Sequence, residues 1–158
     1  MAKQNRIWAV LFVLYCIAMA YLLFGREEAP AGIPYADQLR MRLNLIPFRT
    51  LRLQLHLLTE TDRPWLIRHS LINLLGNIVL FIPLGVFLPG LLPRLQKLWK
   101  VLLAVAGIIA LVEVVQVLTL LGRCDIDDLI LNLAGAAVGY GAYKWINKKR
   151  LPHWREDS

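Results

Sequence analysis

The chain has 158 residues, 58% of them apolar and only 18% charged, with a mean hydropathy of +0.53. Such hydrophobicity excludes an intrinsically disordered chain, and a charged fraction below the roughly 25% usual for soluble domains argues against a soluble one. The net charge of +7 does not indicate a nucleic-acid domain, because the charges are segregated from long apolar stretches; basic residues so placed face headgroups or stay in cytoplasmic loops, and two cysteines cannot form a disulfide framework.

The first apolar stretch, 7–24, carries no charge and is long enough to span a bilayer. Lys3 and Arg6 ahead of it, with Ala18-Met19-Ala20 inside it, resemble a signal peptide and its cleavage site. The run continues to Phe24, so an uncleaved anchor is expected. Residues 25–32, with Glu27, Glu28 and Pro30, read as a polar linker. Leucine, with Met41 in one place, then alternates with polar residues over 39–45 and again over 51–57, with Pro47 between. Period two argues for half-buried strands, a short β-hairpin on the membrane surface; the rival is an interfacial helix starting near Pro47. A strand is expected through Leu45, and the second half stays open. The loop arginines read as snorkelling anchors or as a phosphate-binding surface.

Asp62 and Pro64 look like an N-cap and a first-turn proline, so the next helix starts near Pro64 and enters the hydrocarbon around Leu71. Its apolar part, 71–92, holds Asn73, Asn77, Pro83 and Pro89, and the prolines should kink it. A third span, 101–121, contains Glu113 and Gln116, and a fourth, 129–146, contains Asn132 and three glycines. The basic tail is too short for a fifth. The expected fold is an all-α integral membrane protein: one domain over 1–158, a four-helix transmembrane bundle, and an extramembrane loop 25–70 with a hairpin or interfacial helix.

Orientation follows the basic residues beside the spans. Arg94, Lys97 and Lys100 fill one short connection, and Lys144, Lys148, Lys149, Arg150 and Arg155 lie at the C-terminal end. The other short connection sets Arg123 against Asp125, Asp127 and Asp128. Both termini are therefore expected in the cytoplasm, with all six lysines inside; the seven arginines of loop 25–70 oppose this assignment.

Polar residues inside the spans share a depth. His69, Asn73 and Asn77 are four apart and stack on one helix face, as do Glu113 with Gln116 and Asp128 with Asn132. Successive spans reverse direction, so these three faces converge near one membrane surface. An intramembrane carboxylate is costly unless paired, which makes Glu113 a site candidate; the plain alternative is interhelical glue at about 0.6–2 kcal/mol per hydrogen bond. Asp125 or Asp127 should cap the fourth helix, Arg123 can pair with any of these acids, and Gly135 with Gly139 allows close helix approach or dimerisation.

Four blocks then recur in order: Asn44-Leu45-Ile46-Pro47-Phe48, the run from Asn77 through Pro83 to Gly85, Glu113-Val114-Val115-Gln116, and Asp125-Ile126-Asp127-Asp128 with Asn132 and Gly135. Together they resemble the VanZ-like family over roughly 43–140. The resemblance implies a small bacterial membrane protein of the cell envelope; the family's namesake lowers susceptibility to the lipoglycopeptide teicoplanin. It also marks Glu113, Gln116, Asp125, Asp128 and Asn132 as motif positions without giving them catalytic roles.

The favoured reading is a non-catalytic protein of the bacterial inner membrane. Asn73, Asn77, Glu113, Gln116, Arg123, Asp125, Asp127, Asp128 and Asn132 would form an outer-leaflet pocket for an amphiphile, either a lipid-linked wall precursor or the antibiotic. Its phosphate would sit near arginine and the start of the fourth helix. The alternatives are an enzyme acting on a polyprenyl phosphate, with a divalent ion on the aspartates and Glu113, and a small lipid transporter. No resident cofactor or metal and no nucleic-acid partner is expected. A homo-oligomer is compatible with the sequence.

Overall fold

The computed structural model describes residues 2–24 and 32–150. The linker up to Ala31 and the end of the basic tail, Arg155 included, lie outside the described residues. The order of elements is α1 (Ala2–Phe24), α2 (Tyr35–Met41), β1 (Leu43–Asn44), α3 (Arg49–Glu60), α4 (Pro64–Leu91), α5 (Leu98–Thr119), β2 (Cys124–Asp125) and α6 (Ile126–Arg150).

Among the described residues three helices are long and apolar enough to cross a membrane: α1 over Arg6–Phe24, α4 over its whole length, and α5. At 1.5 Å per residue, the 28 residues of α4 exceed a hydrocarbon core of roughly 30 Å. Helix α4 does begin at Pro64, but its cap position is Arg63, without a side-chain cap bond, and not Asp62. The stretch 129–146 is helical within α6, yet α6 does not reach the hydropathy of the other three, because alanine, glycine and Lys144 dilute its apolar residues.

Helix α6 lies directly on α4. A Cβ added at Gly135 would stand 2.1 Å from the Ile78 carbonyl oxygen, and one at Gly139 2.0 Å from that of Ile82. One at Gly85 would stand 2.1 Å from that of Ala136. The two backbones touch at these three points, so Gly135 and Gly139 serve contact inside the chain and are not open for dimerisation. Val101, Val105 and Ile109, four apart on α5, close the core with Phe81, Leu84 and Leu88 of α4. Trp8, Phe12 and Tyr15 bring α1 onto the Phe87 ring, with centroid distances of 5.6, 5.6 and 5.8 Å, and Met19 of the same stripe is buried. Helix α4 runs unbroken through Pro83 and Pro89. The Tyr15 hydroxyl donates to the Leu80 carbonyl at 2.7 Å, one turn before Pro83, and Gln96 Nε2 donates at 3.3 Å to the Pro89 carbonyl in the last turn of α4, where helix carbonyls lack backbone partners.

The hairpin expectation is overturned. Residues 35–41 are helical, and the two residues that do form a strand pair in parallel with β2, Leu43 opposite Cys124 and Asn44 opposite Asp125. The second alternating run is the helix α3. Its side chains at 50, 51, 54, 57 and 58 turn inward, while Arg49, Arg52, His56 and Glu60 are exposed. That is one helical face. Leu53 and Leu55 remain exposed, which beside a bilayer carries little penalty, so alternation does not exclude a helix here. Cys124 N–H donates to the Arg42 carbonyl at 2.9 Å and Arg42 Nη1 to the Gly122 carbonyl at 2.8 Å. These bonds fasten the large loop to the α5–α6 connection.

Candidate functional site

The aspartates at the start of α6 divide their work. Asp125 caps its own helix: Oδ1 accepts the Asp127 N–H at 2.9 Å. Its Oδ2 accepts from the Thr50 hydroxyl at 2.5 Å and from Asn44 Nδ2 at 3.1 Å. Asp127 caps another helix. Phe48, at the N-cap of α3, has a left-handed backbone (φ 64°) and no side-chain cap bond. Asp127 supplies one in its place, Oδ1 accepting the Phe48 N–H at 2.5 Å and Oδ2 the Leu51 N–H at 3.0 Å. Asp128 accepts from Asn77 Nδ2 at 2.5 Å.

Glu113 and Gln116 reach the same end of the bundle from α5. Glu113 Oε2 accepts from the Cys124 thiol at 3.4 Å, and Gln116 Nε2 donates to the Leu23 carbonyl at the end of α1 at 2.7 Å. Burial, and then the neighbouring Glu113 carboxylate, push the Cys124 thiol up to about 11. Asp128, in the first turn of α6 and outside the three candidate spans, is pushed up to about 7 by burial first and by the charges of Asp125 and Glu113 next; the Asn77 hydrogen bond opposes the shift.

These groups surround a cavity of about 450 Å³. Of the nine residues expected from sequence, Asn73, Asn77, Glu113, Gln116, Arg123, Asp125, Asp128 and Asn132 line it. Asp127 does not: it is 1% exposed and committed to the α3 cap. Thr50, Gln54 and His69 complete the polar lining, and Leu22, Leu23, Leu53, Phe81, Ile109 and Val112 are apolar lining residues. Thr50 and Gln54 were not expected; their four-residue spacing was the available signal, hidden by the stronger period-two alternation of leucines. Gln54 Oε1 and Asn132 Oδ1 are buried without a hydrogen-bond partner, and leaving such groups unpaired costs about 1–3 kcal/mol each.

Two chemistries fit poorly. Among the described residues no group of three or more His, Cys, Asp and Glu side chains is placed to hold a metal ion, and the oxygens of Asp125 and Asp127 are engaged in helix caps and, at Asp125 Oδ2, by Thr50 and Asn44. A phosphate at the start of α6 meets Asp125, Asp127 and Asp128, and the Asp127 N–H is already donated to Asp125. Arg123 is the one arginine among the described residues that line the cavity; Arg49, Arg52 and Arg68 are exposed away from its lining.

Membrane-length apolar helices closing on a polar chamber near one end define a polytopic helical membrane protein. Comparison with known families makes the assignment specific: VanZ/LLP1 matches residues 12–147, and the chain belongs to that family. No curated protein matches the chain, and no solved structure does.

Proposed function

We propose that the protein is a non-catalytic envelope protein that holds the head group of an amphiphile in this cavity and so lowers susceptibility to lipoglycopeptides such as teicoplanin. The observation carrying the reading is the convergence of Asn73, Asn77, Glu113, Gln116 and Asn132, from three helices, on one chamber that also has apolar lining residues. A head group occupies the polar end while acyl chains lie along the exposed helix faces. The bound amphiphile is a lipid-linked wall precursor or the antibiotic itself.

In the same reading α6 makes the fourth crossing over 129–146, since it follows α4 at backbone contact. Its far end is tied to the α4–α5 connection, where the Tyr140 hydroxyl donates to the Gln96 carbonyl at 2.7 Å. That connection bears Arg94, Lys97 and Lys100, so by the positive-inside rule it faces the cytoplasm of a bacterial inner membrane. Both termini lie on that side, and the cavity opens outward.

The test is a teicoplanin-susceptible bacterium expressing the full chain or Glu113→Ala. Wild type should raise the inhibitory concentration, and Glu113→Ala should return it to the vector level at equal membrane abundance and equal helicity. Full protection by the variant, or none by wild type, overturns the proposal.

A further inference from the structure

Resting on the amphiphile reading above, we infer that the head group is a sugar: a polyhydroxylated, phosphate-free group of the glycolipid class. Three kinds of lining side chain carry the inference. Among the described residues Glu113, Asp125 and Asp128 contribute carboxylates to the lining against a single guanidinium, that of Arg123. Ionised carboxylates only accept hydrogen bonds, so a phosphate, which also only accepts, is repelled by whichever of these three acids are charged and has one guanidinium to offset them.

Gln54 and Asn132 are the second kind. They are 8% and 5% exposed, and each has a carbonyl oxygen without a partner in the chain. An amide offers an acceptor and two donors, and rotation of its terminal group presents either. A hydroxyl, which donates and accepts, is the group that satisfies carboxylates and amides together. A metal ion would also seek these acceptors, and among the described residues the acids are not grouped to hold one.

The third kind is apolar. Phe81 and Ile109 line the same cavity as the amides, giving apolar surface for the C–H face of a pyranose ring, and about 450 Å³ lies within the range of small-molecule sites. A lining that mixes carboxylate, amide and apolar side chains suits a ring of hydroxyls better than a compact anion.

The experiment uses the full chain in phosphatidylcholine nanodiscs and compares monoglucosyl diacylglycerol with phosphatidic acid of identical acyl chains, counted as bound copies by native mass spectrometry. The glucosyl lipid should bind at least tenfold more tightly than phosphatidic acid. Asn132→Leu and Gln54→Leu should each remove most of that preference while Gly141→Ala, remote from the cavity lining, keeps it. Free glucose should compete at least tenfold more weakly than the glucosyl lipid; equal competition assigns the cavity to a soluble sugar and overturns the lipid source. Preference for phosphatidic acid, lost in Arg123→Gln, overturns the sugar while leaving amphiphile binding intact. Failure of both lipids and of teicoplanin to bind above the phosphatidylcholine background overturns the sugar and the amphiphile reading together. The wild-type preference stands or falls without any variant, so a misfolded substitution does not shield it.

Discussion

Asp127 caps a helix that begins 78 positions before it in the chain, its Oδ2 accepting the Leu51 N–H at 3.0 Å. The carboxylate is 1% exposed, so the α3 cap is sealed from water and α3 is held on the mouth of the bundle by a side chain of α6. Replacing it leaves two backbone donors without partners.

Asp127→Ala should therefore destabilise the protein by at least about 2 kcal/mol, combining loss of a cap with unsatisfied buried donors. Hydrogen exchange should show loss of protection at Phe48 and Leu51 before any change in α4 or α5. Asp127→Asn keeps one acceptor and should fall between. Uniform loss of protection across all helices would contradict a cap-specific role.

The glycines of α6 separate by position. Gly139→Ala puts a methyl 2.0 Å from a backbone carbonyl oxygen, a contact no rotamer relieves, so the cost should be about 1–3 kcal/mol or more in a detergent unfolding titration. Gly141→Ala meets nothing within 4 Å and should be neutral or gain about 0.4–1 kcal/mol. Equal effects at the two positions would contradict backbone contact between α4 and α6.

Asp128 makes stability depend on pH in a stated direction. Its carboxyl sits at about 7 in the folded protein against an ordinary value of 3.8, so folding favours the protonated form. The resulting stabilisation is complete below about 4 and is lost as pH rises through about 7. Melting temperature should fall over that window in wild type and flatten in Asp128→Asn, which also becomes the more stable of the two at pH 8. Parallel profiles would place the titration elsewhere.

The membrane helices and the grouping of Asn73, Asn77, Glu113, Gln116, Asp128 and Asn132 were legible because helical spacing and span reversal are local rules that fix which face and which depth a residue occupies. The large loop was not. In α3, Leu51, Leu57 and Leu58 turn inward while Leu53 and Leu55 stay exposed, and a lipid surround removes the penalty that makes alternation diagnostic in water. The parallel pairing of Asn44 with Asp125 spans about half the chain and leaves no periodic trace. Asp127 looked equivalent to its neighbours in sequence, and only its place against the α3 N-terminus separates a cap from a cavity residue.

Orientation is open to direct measurement, but not through the native thiols. Cys124 donates to Glu113 and its thiol lies at about 11, so at neutral pH maleimide should react roughly 100-fold more slowly than with an ordinary exposed cysteine. Cys16 lies within the span Arg6–Phe24. Thr59 is exposed on α3 and Lys148 is exposed near the other end of the molecule, so single cysteines at these two positions, with Cys16 and Cys124 replaced by alanine, report opposite faces. With the cavity outward, an impermeant maleimide should label Thr59→Cys in intact cells and Lys148→Cys only after lysis. The reverse pattern would turn the arginines of the large loop inward, as their number alone suggests, and would put the cavity in the cytoplasmic leaflet, out of reach of an external antibiotic.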